Sequence, residues 1–423
     1  MQQRYDLEAT WDTIKSVTRS SSFLFFHLYN GSIVGCGLRN TFGRFYYRLL
    51  VCIPALVSSY SSLLIEKPAR RQALAFYVLN LASETIYRMA VTKGYFKPMK
   101  HGETLLFALS LAAWYHLIKL HGFGRDPVSA VFKVLIGRQE AARWGNIEKG
   151  NKISEKIDVY TKAKQSDLMV QVKRAIDGVG QKLDPFCNGI HPSCPHFSTN
   201  HTCLGYILEP IPSRFLSGYL IQVVLRLASK PQKLLQTPLG TIGETLTASS
   251  SMKFGLFLAT LVSAGRLTSC TLRRISGIED PLKQPQWHAA CSGFVAGLSM
   301  LWAPRSSISL YVMWKAVEQY YLLMARQNKI KYFNFTILTI YSFSAATLLY
   351  VFALEPSLMR PSYMKFLDNI SDHRLHQLNR MVLDVFGTGS SVGYEDYFPD
   401  LDPKYMSNQF KELVFNWMIQ PYE

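Results

Sequence analysis

Residues 24–43 read LFFHLYNGSIVGCGLRNTFG, and residues 258–277 read LATLVSAGRLTSCTLRRISG. When the chain is shifted by 234 positions, the two stretches share glycine, cysteine and Leu-Arg positions. The ungapped alignment extends over residues 24–112 (the first copy) and 258–346 (the second copy), with 19 identities in 89 positions. Both copies are mostly apolar, and duplicated sets of apolar segments are common in polytopic membrane proteins. The repeat therefore predicts a membrane protein with two related halves.

Eight apolar runs in the two copies predict transmembrane helices, since about 20 mostly apolar residues cross the hydrocarbon of a bilayer. They lie at 21–38, 45–65, 72–92, 103–120, 252–272, 286–303, 306–326 and 334–354. A weaker helix is predicted at 212–229, which either crosses the membrane or lies in its interface as an amphipathic helix. If it crosses, the copies are inverted, and if it lies flat, they are parallel. The predicted fold class is all-α: a polytopic integral membrane protein with two related four-helix transmembrane repeats and a weaker amphipathic helix.

Composition divides the chain into five predicted parts. They are a polar N-terminal segment at 1–20, the first transmembrane repeat at 21–120, a basic linker with a Cys/His-rich segment at 121–211, the amphipathic helix and second transmembrane repeat at 212–354, and a polar C-terminal tail at 355–423.

The formal net charge of +17 points to lipid rather than nucleic acid. The basic residues lie mainly beside the apolar runs and in the linker, where they favour anionic lipid headgroups. No zinc-finger, ribonucleoprotein or helix-turn-helix signature accompanies them. The expected partners are therefore the lipid bilayer and anionic lipids, and nucleic acid is not expected.

Two glutamates occupy equivalent places inside predicted spans. Glu84 and Glu318 each follow an arginine by 13 residues. Because an ionisable group within a span is costly, it normally faces the bundle interior, a partner or water. Two interpretations stay open: a polar groove for a substrate, proton or lipid headgroup, or a glutamate whose pairing with a nearby cation fixes helix register. The other members of this predicted polar set are Arg71, Arg305, Asn80 and Arg88.

Small residues recur four apart in the spans. Gly31 and Gly35 form one GxxxG motif, and Gly293 and Gly297 form another. Such residues let helix backbones approach closely, which drives association where lipid is as apolar as the side chains. They predict helix packing rather than a binding site.

The linker holds six candidate metal ligands within 17 residues: Cys187, His191, Cys194, His196, His201 and Cys203. Zinc takes four nitrogen or sulfur ligands, but this spacing matches no common finger. A structural zinc, a disulfide with a spare thiol and an unliganded loop all stay open. No other cofactor is expected.

Two short motifs in the tail have the spacing of catalytic loops without their context. Gly389-x-Ser391-x-Gly393 has no histidine after it, and Gly387-x-Gly389 lacks the βαβ setting and the lysine of a phosphate loop. Both are predicted to be turns, and no enzymatic activity is expected.

Five groups of residues, in order along nearly the whole chain, carry a family resemblance. They are LIEKPARR at 64–71 with NLASET at 80–85, GYLIQ at 218–222 with LR at 225–226, RPSYMKFL at 360–367, VLDVFGTG at 382–389 and LDPKY at 401–405. They resemble the transmembrane protein 135 family, also called peroxisomal membrane protein 52. The repeated four-helix unit is also distantly similar to the pore subunits of the mitochondrial inner-membrane protein translocase and to a small peroxisomal membrane protein group.

The resemblance implies a multi-pass protein of peroxisomal and mitochondrial membranes. It also implies a link to mitochondrial fission, peroxisome organisation and lipid metabolism. We therefore expect a non-enzymatic regulator acting through protein partners recruited by the linker and tail. The alternative is a carrier or conduit for a lipid or small metabolite, along grooves at Glu84 and Glu318. Family members carry a further Cys/His-rich segment and helix before the first repeat, and this chain is expected to begin after that point.

Overall fold

The computed structural model describes residues 2–43, 46–122, 127–136, 203–278, 284–329, 335–372, 378, 380–384, 387–394, 408–409 and 412. The regular elements in these ranges are all helices. They are α1 (Gln2–Phe42), α2 (Tyr47–Leu63), α3 (Pro68–Thr92), α4 (Gly102–His121), α5 (Pro127–Ile136), α6 (Cys203–Leu208), α7 (Pro210–Ala228), α8 (Pro231–Gln236), α9 (Pro238–Thr247), α10 (Ser249–Ile275), α11 (Gln286–Gly297), α12 (Ser306–Arg326), α13 (Thr336–Leu354), α14 (Pro361–Ile370) and α15 (Arg380–Asp384). Short 3₁₀ turns at Leu298–Leu301 and Pro356–Leu358 follow α11 and α13.

The predicted all-α class is confirmed for this part of the chain. Each of the nine predicted helices is found, and most boundaries lie within a few residues of the prediction. The largest difference is α1, which begins at Gln2 and takes in the segment predicted as a separate polar N-terminus.

Equivalent residues end equivalent helices in the two copies. Gly43 and Gly277 follow α1 and α10 with φ of 60° and 62°. Gly94 and Asn328 follow α3 and α12 with φ of 77° and 56°. The left-handed conformation lets the next amides bond back to the last helical carbonyls, and it is easiest for glycine and tolerable for asparagine. The sequence spacing thus fixes where these helices stop.

Two described helices, α10 and α13, are long and apolar enough to cross a bilayer. The mean hydropathy of their most apolar 18-residue windows is 1.3 and 1.9. About half of each window is buried among other helices, and core helices of soluble proteins pass the same test. The remaining predicted spans stay predictions.

The structure groups the helices differently from the sequence copies. The repeat predicts two bundles, each built from the four helices of one copy. Instead, one compact unit comprises Met1–Lys97 with Phe333–Glu423, and the other comprises Pro98–Tyr332. The first unit therefore holds α1, α2 and α3 of the first copy with α13, the fourth helix of the second. The second unit holds α10, α11 and α12 with α4, the fourth helix of the first copy.

Within the first unit, α13 packs on α2 and α3, and α1 packs on α2. Its core includes Leu63, Leu81, Leu348 and Val351. Three side chains of α14 pack against this core, namely Tyr363, Met364 and Leu367. The segment predicted as a polar tail thus contributes apolar side chains to the unit.

Within the second unit, α4 packs on α11 and α12, and α10 packs on α11 and α7. The contacts of α4 with α11 and α12, and of α10 with α11, correspond to those of α13 with α2 and α3, and of α1 with α2, in the first unit. The contact between α10 and α7 has no counterpart among the helix contacts described above for the first unit. The core includes Phe107, Leu111, Trp114, Leu261 and Met300, all almost fully buried.

Candidate functional site

The Glu84 carboxylate lies buried in the first unit between two cations. Its Oε1 is 2.8 Å from Arg88 Nη2, one turn along α3, and the side chain is 8% exposed. Its Oε2 is 3.2 Å from Arg360 Nη2, on the residue that precedes α14. Both carboxylate oxygens therefore face a positive charge, and one of those charges comes from a residue far away in sequence.

A second ion pair joins the same parts of the first unit. Glu355 follows α13, and its Oε1 lies 3.4 Å from the Nζ of Lys93 after α3. Asn80 is buried one turn before Glu84 on α3. The predicted polar face of Asn80, Glu84 and Arg88 thus turns inward at its first two members and reaches the surface at Arg88, which is 42% exposed.

The Glu318 carboxylate is buried in the second unit with a different partner. Its Oε2 is 2.6 Å from Lys315 Nζ on the same helix, and the two side chains are 8% and 5% exposed. Removing two charges from water is costly, and close pairing with good hydrogen bonds offsets that cost. Equivalent carboxylates are therefore neutralised by different residues in the two units.

Arg71 and Arg305, the arginines of the predicted polar set, contact groups other than Glu84 and Glu318. Arg71 donates from Nε to the Glu66 carbonyl at 3.0 Å and from Nη2 to the Leu64 carbonyl at 2.8 Å. Arg305 donates to Oε1 of the buried Gln222 on α7 at 2.8 Å, and its guanidinium stacks over the Phe254 ring. Neither contact involves a predicted glutamate, so these arginines fix helix ends and helix pairs.

The two GxxxG motifs differ in how closely they pack. A Cβ added at Gly293 would lie 2.7 Å from the Leu111 carbonyl of α4, and one at Gly297 would overlap Ala108 Cα. A Cβ at Gly31 or Gly35 would meet only side-chain atoms, the nearest at 3.4 Å and 3.7 Å. The motif of the second copy therefore brings two backbones together, whereas that of the first has room for a methyl group.

A further close crossing joins α7 to α10. A Cβ at Gly218 would lie 2.8 Å from the Phe254 carbonyl, and one at Gly255 would lie 2.9 Å from the Phe215 carbonyl. Sequence reasoning missed this pair because the two glycines lie on different helices, with no four-residue spacing between them.

A groove that the sequence did not indicate lies beside α1 in the first unit, and its lining mixes apolar side chains with polar and charged ones. Its volume is about 580 Å³, and its lining includes Asp12, Ser16, Lys67 and Arg70. Arg70 donates to Ser16 and Ser20, which ties the start of α3 to α1. The groove presents basic and hydroxyl groups of the kind that bind anionic headgroups.

Five of the six candidate metal ligands, from Cys187 to His201, lie outside the described residues. The sixth, Cys203, begins α6, and its Sγ is 3.6 Å from the Sγ of Cys270. Within the described ranges no group of three or more His, Cys, Asp or Glu side chains is placed to hold a metal. The zinc site stays a prediction.

The predicted turns after α15 are found. Gly387, Gly389 and Gly393 have φ of 70°, 60° and 83°. The Asp384 carboxylate accepts from the amides of Ser390 and Ser391, which closes the loop. The Asp384 side chain therefore occupies loop amides that could otherwise bind a phosphate.

Buried Arg380 holds this loop against α13. Its Nη1 donates at 3.2 Å to the Ala353 carbonyl and to Ser390 Oγ. The guanidinium lies 4.6 Å from the centre of the Tyr394 ring, and burial lowers the pKa of Arg380. Together with the closed loop, these contacts give the segment a packing role.

The comparisons with known proteins concern the first helices of the chain. The family model for the N-terminal cysteine-rich region of Transmembrane protein 135 matches residues 1–91, which contain α1, α2 and nearly all of α3. No solved structure matches the chain. The family match agrees with the resemblance carried by residues 64–71 and 80–85. Over residues 1–91, the chain therefore matches the transmembrane protein 135 family that its sequence motifs resemble.

Proposed function

We propose that this protein is a non-enzymatic membrane protein that regulates mitochondrial fission and fusion, peroxisome organisation and lipid homeostasis. The match of residues 1–91 to the transmembrane protein 135 family and the apolar helices α10 and α13 support a membrane location. The peroxisomal and mitochondrial membranes are the proposed sites of action. The proposed partners are anionic lipids and proteins that bind the linker and the C-terminal segment.

The observation that carries this proposal is the double pairing of Glu84. A carboxylate that awaits a substrate or a transported proton needs an oxygen that can exchange partners. Glu84 instead faces Arg88 with one oxygen and Arg360 with the other, at 2.8 Å and 3.2 Å. Such an arrangement stabilises the packing of α3 against the segment that starts α14.

The same contacts couple the C-terminal segment to the first unit. Arg360 and Glu355 flank the 3₁₀ turn after α13, and each pairs with a residue on or just after α3. A protein that pulled on the C-terminal segment would break these pairs and loosen α3. That is a direct route from partner binding to the membrane helices.

A carrier remains the second candidate because of Lys315 and Glu318. Both side chains are almost fully buried, and they occupy successive turns of one helix. Intramembrane ion pairs of this kind mark substrate and ion pathways in many transporters. In this proposal a lipid or small metabolite moves along the face of α12 that carries the pair.

A rescue assay in cells lacking the protein separates the two proposals. The test variant is Glu84→Gln with Glu318→Gln, and the control is Glu244→Gln, whose side chain is 59% exposed. Abundance and organelle placement are checked first, and mitochondrial shape and stored lipid are then scored. The regulator predicts rescue by both variants, because the Lys93–Glu355 pair and the apolar contacts of α14 still hold the C-terminal segment in the first unit. A stable, correctly placed double mutant that fails, beside a control that succeeds, would favour the carrier.

A second arm replaces residues 137–202 by a neutral Gly/Ser linker of equal length. The regulator loses rescue, because its partner-binding segment is gone, whereas a carrier keeps it. Rescue by the linker replacement would count against the regulator regardless of how the glutamate variants behave.

A further inference from the structure

Two cysteines meet inside the second unit, although they are 67 residues apart in sequence. Cys203 begins α6, and Cys270 lies in the last third of α10. Their sulfur atoms are 3.6 Å apart, and no disulfide joins them in the structure. A disulfide needs about 2 Å between sulfurs, so small side-chain rotations would join them.

The two thiols differ in exposure, which sets an order of reaction. Cys270 is 3% exposed and lies within the packed face of α10. Cys203 is partly exposed, so an oxidant in solution reaches it first. Cys203 is thus placed to be the attacking thiol and Cys270 the resolving one.

A positive charge lies beside Cys203. Arg274, one turn beyond Cys270 on α10, lies with its Nη2 2.7 Å from Cys203 Sγ. This contact holds the Cys203 sulfur on the side of α10 that carries Cys270. The neighbouring Arg266 stacks over Tyr206 of α6 at 4.4 Å and donates to its carbonyl, which holds α6 against α10.

We propose that Cys203 and Cys270 form a peroxide-sensitive thiol pair that closes into a disulfide between α6 and α10. Cys203 attacks a hydroperoxide, the O–O bond breaks, and the products are Cys203 sulfenic acid and an alcohol or water, the thiol proton passing to the departing oxygen. The Cys270 thiol then displaces hydroxide from the sulfenic sulfur and forms the S–S bond, with loss of water. The hydroperoxide is reduced by two electrons, which the two thiols supply.

The disulfide would fasten the end of the linker to the helix that packs on α7 and α11. Cys203 lies in the last part of the linker and is the first described residue after position 136, and Cys270 lies close to the loop that joins α10 to α11. Oxidation would therefore convert a non-covalent contact of the linker end into a covalent one. The pair is independent of the glutamates on which the proposed function rests.

The test uses the purified full-length protein in detergent, reduced and then freed of reductant. Hydrogen peroxide is added, free thiols are blocked with a maleimide, and the digested protein is analysed by mass spectrometry. The expected product is a peptide pair joined through Cys203 and Cys270, two hydrogens lighter than the reduced pair. Because the thiols are pre-positioned, its rate should exceed oxidation of Cys36, the residue equivalent to Cys270 in the first copy, by roughly tenfold or more.

Two substitutions identify the roles of the thiols. Cys270→Ser should stop the reaction at Cys203 sulfenic acid, which dimedone captures. Cys203→Ser should leave Cys270 reduced, while Cys291→Ser should change nothing. A misfolded variant is recognised by its loss of helical circular dichroism. In that case the cross-linked peptides of the unsubstituted protein still show whether Cys203 and Cys270 are joined.

Three results would overturn the proposal. The first is a disulfide from Cys203 to Cys187 or Cys194 instead of Cys270. The second is oxidation of Cys203 no faster than that of Cys36. The third is a tightly bound zinc in the purified protein that is lost on Cys203→Ser, because Cys203 would then be a metal ligand.

Discussion

Replacing Gly297 by alanine should destabilise the second unit, whereas the matched change at Gly35 should not. Both glycines are the second members of GxxxG motifs in apolar helices. A methyl group at Gly297 would overlap the backbone of Ala108, which cannot rotate away, but one at Gly35 meets only Pro54 Cγ at 3.7 Å. The two variants have the same chemistry and differ only in what the new carbon touches.

The expected magnitudes follow from two opposing terms. Alanine stabilises a helix interior relative to glycine by about 0.5–1 kcal/mol. Forcing an extra carbon into a packed helix pair costs about 1–3 kcal/mol. Gly297→Ala should therefore lose roughly 1–2 kcal/mol, while Gly35→Ala should gain up to about 1 kcal/mol because it has only the favourable term.

Thermal unfolding of each purified variant in the same detergent measures the difference. At about 2–4 °C per kcal/mol for a protein of this size class, the midpoint should fall by several degrees for Gly297→Ala and stay level or rise for Gly35→Ala. Amide hydrogen exchange should increase in α4 and α11 of the first variant alone. Equal shifts in both variants, or faster exchange confined to α1 and α2, would refute the assigned contact between α11 and α4.

Three further predictions concern the buried charged and phenolic groups. Arg360→Gln should lower the free energy of unfolding by only about 1–2 kcal/mol, because Glu84 keeps one of its two cations. A double-mutant cycle with Glu84→Gln should show a coupling energy of the same order. Losses that simply add would disprove the ion pair between Arg360 and Glu84. Glu318→Gln should cost about 3–5 kcal/mol because it removes the carboxylate charge beside the buried Lys315 ammonium, and replacing both residues by apolar ones of similar size should cost less than the single change. A single mutant as stable as the parent would contradict this. Burial raises the pKa of Tyr363 to about 12, helped by the charge of Tyr77. The stabilising contribution of Tyr363 is therefore complete below about pH 10 and is lost as the pH rises towards 12. Tyr363→Phe should remove about 3 kcal/mol of this alkaline loss of stability, measured as unfolding midpoints between pH 9 and pH 12, and parallel pH curves for the two proteins would exclude this role of Tyr363.

Local structure was largely predictable because each helix carries its own signals. Apolar runs set the helix cores, and the glycines at Gly43, Gly94 and Gly277 end helices where their φ is positive. Asn328 occupies the position equivalent to Gly94 and ends its helix in the same way, because asparagine also tolerates the left-handed conformation. These signals lie within a few residues of the structure that they produce.

The grouping of helices could not be predicted in the same way. The α4 and α13 helices are each the fourth helix of their copy. Each packs on the second and third helices of the other copy: α4 on α11 and α12, and α13 on α2 and α3. A duplicated sequence therefore presents two similar surfaces to each fourth helix, so that hydrophobic pattern cannot choose between them. Only side-chain detail, such as the close approach of Gly297 to Ala108, distinguishes the exchanged arrangement.

The sequence predicted the buried glutamates of the candidate site but not the distant cation that pairs with Glu84. A glutamate in an apolar run is conspicuous, and sequence spacing placed Arg88 beside Glu84. Arg360 lies beyond the second copy, and no periodicity links it to α3. Likewise, Arg71 and Arg305 precede the glutamates at identical spacing, yet their guanidinium groups bind a chain turn and α7.

The arrangement of the first unit connects the family match to the C-terminal motifs. The match over residues 1–91 covers α1, α2 and nearly all of α3, and these helices pack with α13 rather than with the helix that follows them. Their buried Glu84 is paired by Arg360, the first residue of the family motif RPSYMKFL, whose Tyr363, Met364 and Leu367 complete the same core. Residues at opposite ends of the sequence therefore form one folding unit. A partner that binds near the C-terminus would therefore act on the same unit as α1, α2 and α3, and the proposed regulator needs a coupling of this kind.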